Sequence, residues 1–230
     1  MRESILIIGG AGYIGSVTAH YIASQNYTII ILDSLIYKQN YNHLTPWATI
    51  ITGDYGNIEL LSKIFASYNI AAVFHFASLI EVGRSVKDPA LFYQNNLIKT
   101  LTLLDTMKQY HVNKIVFSSS CSVYGVPENI PITEETQFNP VSPYGKTKAA
   151  IEYILEDYSK AYDLLYVSLR YFNASGALPE YNLGEFHYPE THIIPLLLRS
   201  IYLDKKFKIF GVDYNTPDAT AVREIGRAHV

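Results

Sequence analysis

Tyr144 and Lys148 stand four residues apart, a spacing that puts both side chains on one face of a helix, and a serine run, Ser118-Ser119-Ser120, precedes them in the chain. A free phenol has a pKa of about 10, too high for a general base near neutral pH, but an ammonium on the same face favours the phenolate by Coulomb attraction. A serine hydroxyl beside the pair can hold the substrate oxygen whose proton is moving. A second constellation, Gly9-Gly10-Ala11-Gly12-Tyr13-Ile14-Gly15, offers close backbone approach instead of side-chain chemistry. Such a turn brings a pyrophosphate to the amides and positive dipole end of the following helix.

These groups need elements to hold them. The β-branched run over 113–117 reads as a buried strand with the serines at its carboxyl end, where open parallel sheets carry their sites. Ser142-Pro143 then starts the helix that bears Tyr144 and Lys148. The apolar stretch 5–8 predicts a first strand, followed by the glycine turn and a helix to about Ala23. Two glycine registers coexist: Gly10, Gly12 and Gly15 fit GxGxxG, while Gly9, Gly12 and Gly15 fit GxxGxxG. A strand over 28–32 ends in Asp33, eighteen residues past Gly15, where the dinucleotide fingerprint expects an acid for the adenosine ribose. A carboxylate suits a hydroxyl pair and repels a phosphate, so NAD is expected rather than NADP.

Further strands are expected over 48–52 and 71–76, with an amphipathic helix over 58–68 between them. Asp54, just before that helix, either hydrogen-bonds the adenine amine or caps the helix. His75, inside an apolar run, reads as a satisfied core histidine, and Ala77-Ser78-Leu79 as backbone lining the pyrophosphate or nicotinamide. Asp88-Pro89 opens a long helix to about Tyr110, with Asn95 and Asn96 inside it, placed to bind a ligand or a neighbouring loop. A sixth strand over 164–171 ends in Phe172-Asn173. Alternating strands and helices imply an α/β doubly wound parallel (Rossmann) sheet over residues 1–173. Beyond Asn173 the pattern changes to a loop over 176–189, a helix following Ile193 and a short strand over 207–210. Residues 174–223 therefore read as the beginning of a smaller substrate-binding subdomain.

Composition removes other classes. With 49% apolar and 17% charged residues the chain is globular, and a net charge of −3 with dispersed Lys and Arg gives no nucleic-acid footprint. No apolar run approaches the length of a membrane span. Cys121 is the single cysteine, which fits a reducing, cytoplasmic setting.

The motifs GGAGYIGS at 9–16, LDSL at 32–35, HFASLIEVGRSV at 75–86, SSSCSVYG at 118–125, SPYGKTK at 142–148, LRYFNASGA at 169–177, PETHIIP at 189–195 and FGVDYNTPDAT at 210–220 resemble the UDP-glucose 4-epimerases of the extended short-chain dehydrogenase/reductase family. The resemblance implies C4 epimerisation of a UDP-hexose through a transient 4-keto sugar, with NAD reduced and reoxidised within each turnover. It gives Tyr144 the C4 hydroxyl proton, Ser120 the hydrogen bond to that oxygen, and Lys148 the nicotinamide ribose and the lowering of the tyrosine pKa. It assigns NAD contacts to Gly9, Gly12, Tyr13, Ile14, Gly15, Asp33, Asp54, Tyr55, Phe76, Ala77, Leu79, Asn95, Ser118, Tyr144, Lys148 and Phe172. Substrate contacts fall to Ser120, Tyr144, Asn173, His192 and Arg223, no metal is implied, and a homodimer is compatible.

Close alternatives are the same chemistry on UDP-N-acetylhexosamines or UDP-pentoses. From another class comes a non-catalytic NAD-binding module. A 4,6-dehydratase fits less well, because Cys121-Ser122 stands where that branch places an Asp-Glu pair. Ile80 departs from the family's usual Lys, and Ser34, Tyr37 and Lys38 from its polar ribose loop. The closing Glu224-Ile225-Gly226-Arg227-Ala228-His229-Val230 is what a common short-read sequencing adapter encodes in frame. The expectation is therefore a longer natural chain, with 224–230 as non-native read-through.

Overall fold

A computed structural model describes residues 3–36, 44, 46–185, 190, 192–209, 211–222 and the backbone of 225–227. Tyr37, Lys38, Pro189, Phe210 and Arg223, singled out above, lie outside them. The first half alternates β1 (Ser4–Ile8), α1 (Tyr13–Ser24), β2 (Thr28–Asp33), β3 (Ala48–Thr52), α2 (Ile58–Ser67) and β4 (Ile70–His75). Then come α3 (Val82–Lys87), α4 (Pro89–Phe92), a π-helical turn (Tyr93–Ile98), α5 (Lys99–Gln109), β5 (Lys114–Ser118), α6 (Pro143–Tyr162) and β6 (Leu165–Leu169). The strands form one six-stranded parallel sheet in the order β3-β2-β1-β4-β5-β6. The order reverses between β1 and β4, the crevice where doubly wound sheets bind dinucleotides.

Every residue of β1 is buried, as a central strand covered on both faces requires. One core layer gathers Leu6, Ile30, Val73, Ile115 and Phe117 with Leu103, Met107 and Leu155 from α5 and α6. The opposite layer gathers Ile5, Ile7, Ile29 and Ile31 with Val17 and Ala19 of α1. Helix α6 begins as its sequence dictates: Ser142 Oγ accepts from the Gly145 amide, and Pro143 fills the first turn. Asp88 caps α4 in the same way. The expected single helix from Pro89 is instead α4, a π-turn over Tyr93–Ile98 and α5, following one another without a break.

Past β6 lie β7 (Asn173–Ser175), β8 (Ala177–Leu178), β9 (Leu183–Gly184), α7 (Ile193–Tyr202) and β10 (Ile225–Arg227). The stretch expected as loop over 176–189 contains the β8/β9 hairpin, whose Leu183 is buried against the α1 layer. The strand expected over 207–210 does not form in 207–209, where the backbone is irregular and half-buried at most. No partner strand pairs with it among the described residues, and an apolar run with none cannot hold strand geometry. Residues 225–227 pair in parallel with β7. Among the described residues no helix is long and apolar enough to cross a membrane.

Candidate active site

The glycine turn resolves the two registers in favour of Gly9, Gly12 and Gly15. Gly9 has φ +78°, and a Cβ there would lie 2.5 Å from the Ala77 amide nitrogen. A Cβ on Gly15 would lie 2.3 Å from the Gly9 carbonyl oxygen. Gly10 is excluded from larger side chains for another reason, packing against Ile31. Gly12 precedes α1 without any side-chain cap, which leaves the first-turn amides available to an anion. Tyr13 and Ile14, in that first turn, are half-buried, and Tyr13 donates its hydroxyl to the Gly176 carbonyl at 2.8 Å.

Asp33 lies at the carboxyl end of β2. Its Oδ2 accepts from the Ala11 amide at 3.0 Å and its Oδ1 from Leu35 at 2.9 Å, while burial pulls the carboxyl above its ordinary pKa. The acid therefore also fastens the glycine turn. Asp54 does not cap α2: Asn57 does, accepting from Leu60. Asp54 pairs with Lys99 at 2.6 Å and accepts from Gly56, and its carboxyl sits below the usual range despite partial burial because of these partners. Tyr55 is buried, with its hydroxyl donated to the Asn95 carbonyl.

Phe76 and Ala77 both donate backbone amides to Ile8, which holds the end of β4 beside the glycine turn. Leu79 packs with Phe92 and Tyr144. Asn96, one residue past the expected cofactor contact Asn95, is the buried amide that binds a neighbouring loop: it accepts from the Leu79 amide and donates to the Leu79 carbonyl. Asn95 accepts from Lys99 through its side chain at 3.0 Å.

Ser120 and Tyr144 are both 8% exposed, Ser120 two residues past the end of β5 and Tyr144 in the first turn of α6. Burial pushes the Tyr144 phenol up to about 12, opposed by a hydrogen bond with Ser120. Ser120 Oγ also donates to Ser122 Oγ at 3.1 Å. Lys148 is almost wholly buried, donates to the Ser118 carbonyl at 2.7 Å and lies 5.8 Å from the Tyr144 ring centroid. Burial lowers the ammonium to about 7, opposed by the charge of Glu152. The lysine is engaged with Ser118, and desolvation dominates at the tyrosine.

A network that the sequence reading did not anticipate supports this end of the sheet. Glu152, two helical turns past Tyr144 and 6% exposed, accepts from Ser119 and from the Arg170 Nη2 at 2.8 Å. Arg170 also donates to the Tyr124 hydroxyl at 2.7 Å and lies 4.6 Å from the Phe138 ring centroid. The eight-residue spacing of Tyr144 and Glu152 was the available signal, since it puts both on one face of α6.

His75 is a core residue, as expected, but only half satisfied. The Thr100 hydroxyl donates to the Asn96 carbonyl at 2.6 Å, so His75 Nε2 must be the donor in its 2.8 Å contact with Thr100. Nδ1 then carries a lone pair, and it has no hydrogen-bond partner among the described residues. Burial lowers this imidazole to about 3 and keeps it neutral.

The remaining expected residues among those described lie past β6. Phe172 is half-buried beyond β6, and Asn173 lies in β7, in register with Ile225. His192 precedes α7 and lies 2.5 Å from Glu185, whose carboxylate raises its imidazole pKa.

A match to the NAD dependent epimerase/dehydratase family spans residues 5–230. The chain is 44% identical over 223 residues to the UDP-glucose 4-epimerase of Rhizobium leguminosarum bv. trifolii, covering 96% of this chain and 68% of that protein. It is similar in structure to UDP-glucose 4-epimerase from Brucella ovis in complex with NAD, with TM-score 0.90, 42% identity, and coverage of 99% of this chain and 70% of that one. For the Bifidobacterium longum UDP-glucose 4-epimerase in complex with NAD+ and UDP the TM-score is 0.88 at 35% identity, covering 98% of this chain and 70% of that one. Fold, glycine turn and sequence agree: the chain belongs to the NAD dependent epimerase/dehydratase family.

Proposed function

We propose that this chain acts as an NAD-dependent 4-epimerase that interconverts UDP-glucose and UDP-galactose. The observation that carries the reading is the buried Lys148, bonded to Ser118 at the carboxyl end of β5 and 5.8 Å from the Tyr144 ring centroid, within a chain 44% identical to a UDP-glucose 4-epimerase.

The residues present fit the cofactor. Gly9 and Gly15 admit no side chain, the first turn of α1 is uncapped, and Asp33 closes β2 beside the turn. Gly12, Tyr13, Ile14 and Gly15 would hold the pyrophosphate and Asp33 the adenosine ribose. Asp54, Tyr55 and Asn95 would flank the adenosine end. Phe76, Ala77, Leu79, Ser118, Lys148 and Phe172 would border the nicotinamide end. When bound, NAD supplies reversible hydride acceptance and a positive charge beside the phenol.

Tyr144 takes the C4 hydroxyl proton and later returns it. Ser120 donates to that oxygen and keeps it in line with the phenol. Lys148 would hold the cofactor's ribose and add its charge to the stabilisation of the phenolate. The low dielectric that raises the free phenol also strengthens each of these interactions. Asn173, His192 and Arg223 are assigned to the nucleotide-sugar phosphates or uridine. Residues 174–223 are assigned to substrate binding. Two copies are assigned to pair through the helical stretch 88–110 and α6, where Ile98 and Tyr153 are exposed.

The test is Tyr144→Phe in the NAD-loaded protein, assayed by NMR for conversion of UDP-glucose into UDP-galactose. Turnover should fall by about 10²- to 10⁴-fold with NAD still bound. Unchanged turnover would falsify the assignment and favour a cofactor-binding module.

A further inference from the structure

One ammonium reaches all three residues assigned to the adenosine end of the cofactor site. Lys99, the first residue of α5, places its Nζ 2.6 Å from Asp54 Oδ2, 3.0 Å from Asn95 Oδ1 and 5.8 Å from the Tyr55 ring centroid. An ammonium only donates, so the Asn95 atom that faces it is the carboxamide oxygen. Asn95 Nδ2 donates in turn to Asn96 Oδ1 at 3.0 Å, and the Tyr55 hydroxyl donates to the Asn95 backbone carbonyl. The lysine stem lies over Gly56, where a Cβ would come 2.7 Å from Lys99 Cγ. The Gly56 amide itself donates to Asp54 Oδ1 at 2.8 Å.

Asp54 and Asn95 are thus each held from two sides. The Asp54 carboxylate gives one lone pair to Lys99 and one to Gly56 and keeps further acceptor capacity. The Asn95 carboxamide is tied at its oxygen and its nitrogen, and one of its N–H groups is left over by these bonds. Burial raises the Asp54 carboxyl, but the bonds from Lys99 and Gly56 outweigh it and set the group below the ordinary carboxylate range. An anionic acceptor beside an amide donor matches the amine and neighbouring ring nitrogen of adenine. It opposes a base with a carbonyl in place of that amine. The ion pair is partly exposed and adds little to stability, so replacing the lysine should leave the fold intact.

We propose that Lys99 is a positioning residue for the adenosine end of the cofactor site: it orients the Asp54 carboxylate and the Asn95 amide toward one edge of the base, and so sets both the affinity for NAD and the preference for adenine over hypoxanthine. The inference rests on the proposed function for the presence of NAD in this crevice, and not on the reaction at the other end of the cofactor. Loss of a charge-assisted hydrogen bond at a partly exposed site corresponds to about tenfold in affinity, which sets the expected scale.

The experiment compares Lys99→Met with the unsubstituted chain for affinity toward NAD and toward nicotinamide hypoxanthine dinucleotide, by competition titration of the loaded protein. It also follows the Asp54 carboxyl by NMR as pH is varied in the cofactor-free protein. The unsubstituted chain should prefer NAD by about tenfold or more. In Lys99→Met, NAD should bind about tenfold more weakly and the hypoxanthine analogue within about threefold of its former affinity, with Asp54 titrating at higher pH. Lys99→Arg, which keeps the charge and several donors, should recover most of the lost preference. Unchanged NAD affinity in Lys99→Met overturns the proposal, and so does equal weakening of both dinucleotides, which would leave Lys99 only a general charge near the pyrophosphate. If Lys99→Met does not fold, Lys99→Gln removes the charge at similar length, and the same two affinities decide. Binding of neither dinucleotide by the unsubstituted chain overturns the inference together with the cofactor assignment. The expected affinities without any turnover of UDP-glucose would support the role of Lys99 and overturn the epimerase reading alone.

Discussion

Lys148 reaches from the second turn of α6 to the carbonyl of Ser118, 2.7 Å away at the end of β5, and lies 4.9 Å from the Phe117 ring centroid. An ammonium so placed is stabilised by one carbonyl and an aromatic face in exchange for nearly all its hydration. Burial of the charge there costs stability.

Lys148→Met should therefore abolish turnover and yet stabilise the cofactor-free protein. Burial lowers this lysine from 10.5 to about 7, so the unfolded chain binds more protons between those values, and stability rises with pH across that window. The cost of the lysine is full below pH 7. The variant should gain about 1–3 kcal/mol at pH 6, shrinking toward pH 10, as read from urea midpoints at several pH values.

His75 gives the opposite end of the pH scale. Its imidazole titrates at about 3 in the fold against 6.5 when free, so protonation favours the unfolded chain between those values. Stability should fall as pH drops through that window, by at most about 1.4 kcal/mol per unit. His75→Gln, which keeps a donor for Thr100, should flatten this acid limb in thermal unfolding followed from pH 7 to 4.

Removing Arg170 leaves Glu152 buried without its guanidinium. Arg170→Ala should destabilise by about 3–5 kcal/mol, measured by denaturant unfolding. Arg170→Lys should recover less than half of that, because an ammonium cannot reproduce the forked contact with both carboxylate oxygens and the Tyr124 hydroxyl.

Gly83 offers a gain. It sits inside α3, and a Cβ there would meet nothing within 4 Å. Gly83→Ala should raise stability by about 0.5–1 kcal/mol through helix propensity alone, seen as a higher thermal midpoint.

Much of the sheet could be read from sequence because its strands are apolar on both faces and each ends at a turn residue. Ile5 to Ile8 and Thr28 to Asp33 announce themselves in this way. Tyr144 and Lys148 were legible for a related reason, since one helical turn links them. What escaped was long-range. Nothing local distinguishes Asn96, which grips Leu79, from its neighbour Asn95, and nothing near Glu152 names Arg170 as its partner. The π-turn has no composition of its own, and α3 is a short helix opening on Val82 and Gly83, both poor helix formers. Phe207-Lys208-Ile209 carried strand-like residues but found no neighbour to pair with among the described residues.

The bond between Asp33 and the Ala11 amide bears on how readily the cofactor preference could drift. An acid that only recognised a ribose could be exchanged for a neutral or basic residue to admit a phosphorylated cofactor. Asp33 is also a staple across the glycine turn, and its loss would leave a backbone amide without its acceptor at the point where the pyrophosphate must be gripped. A lineage moving toward the other cofactor would have to rebuild that staple first, so the change requires at least two coordinated substitutions rather than one.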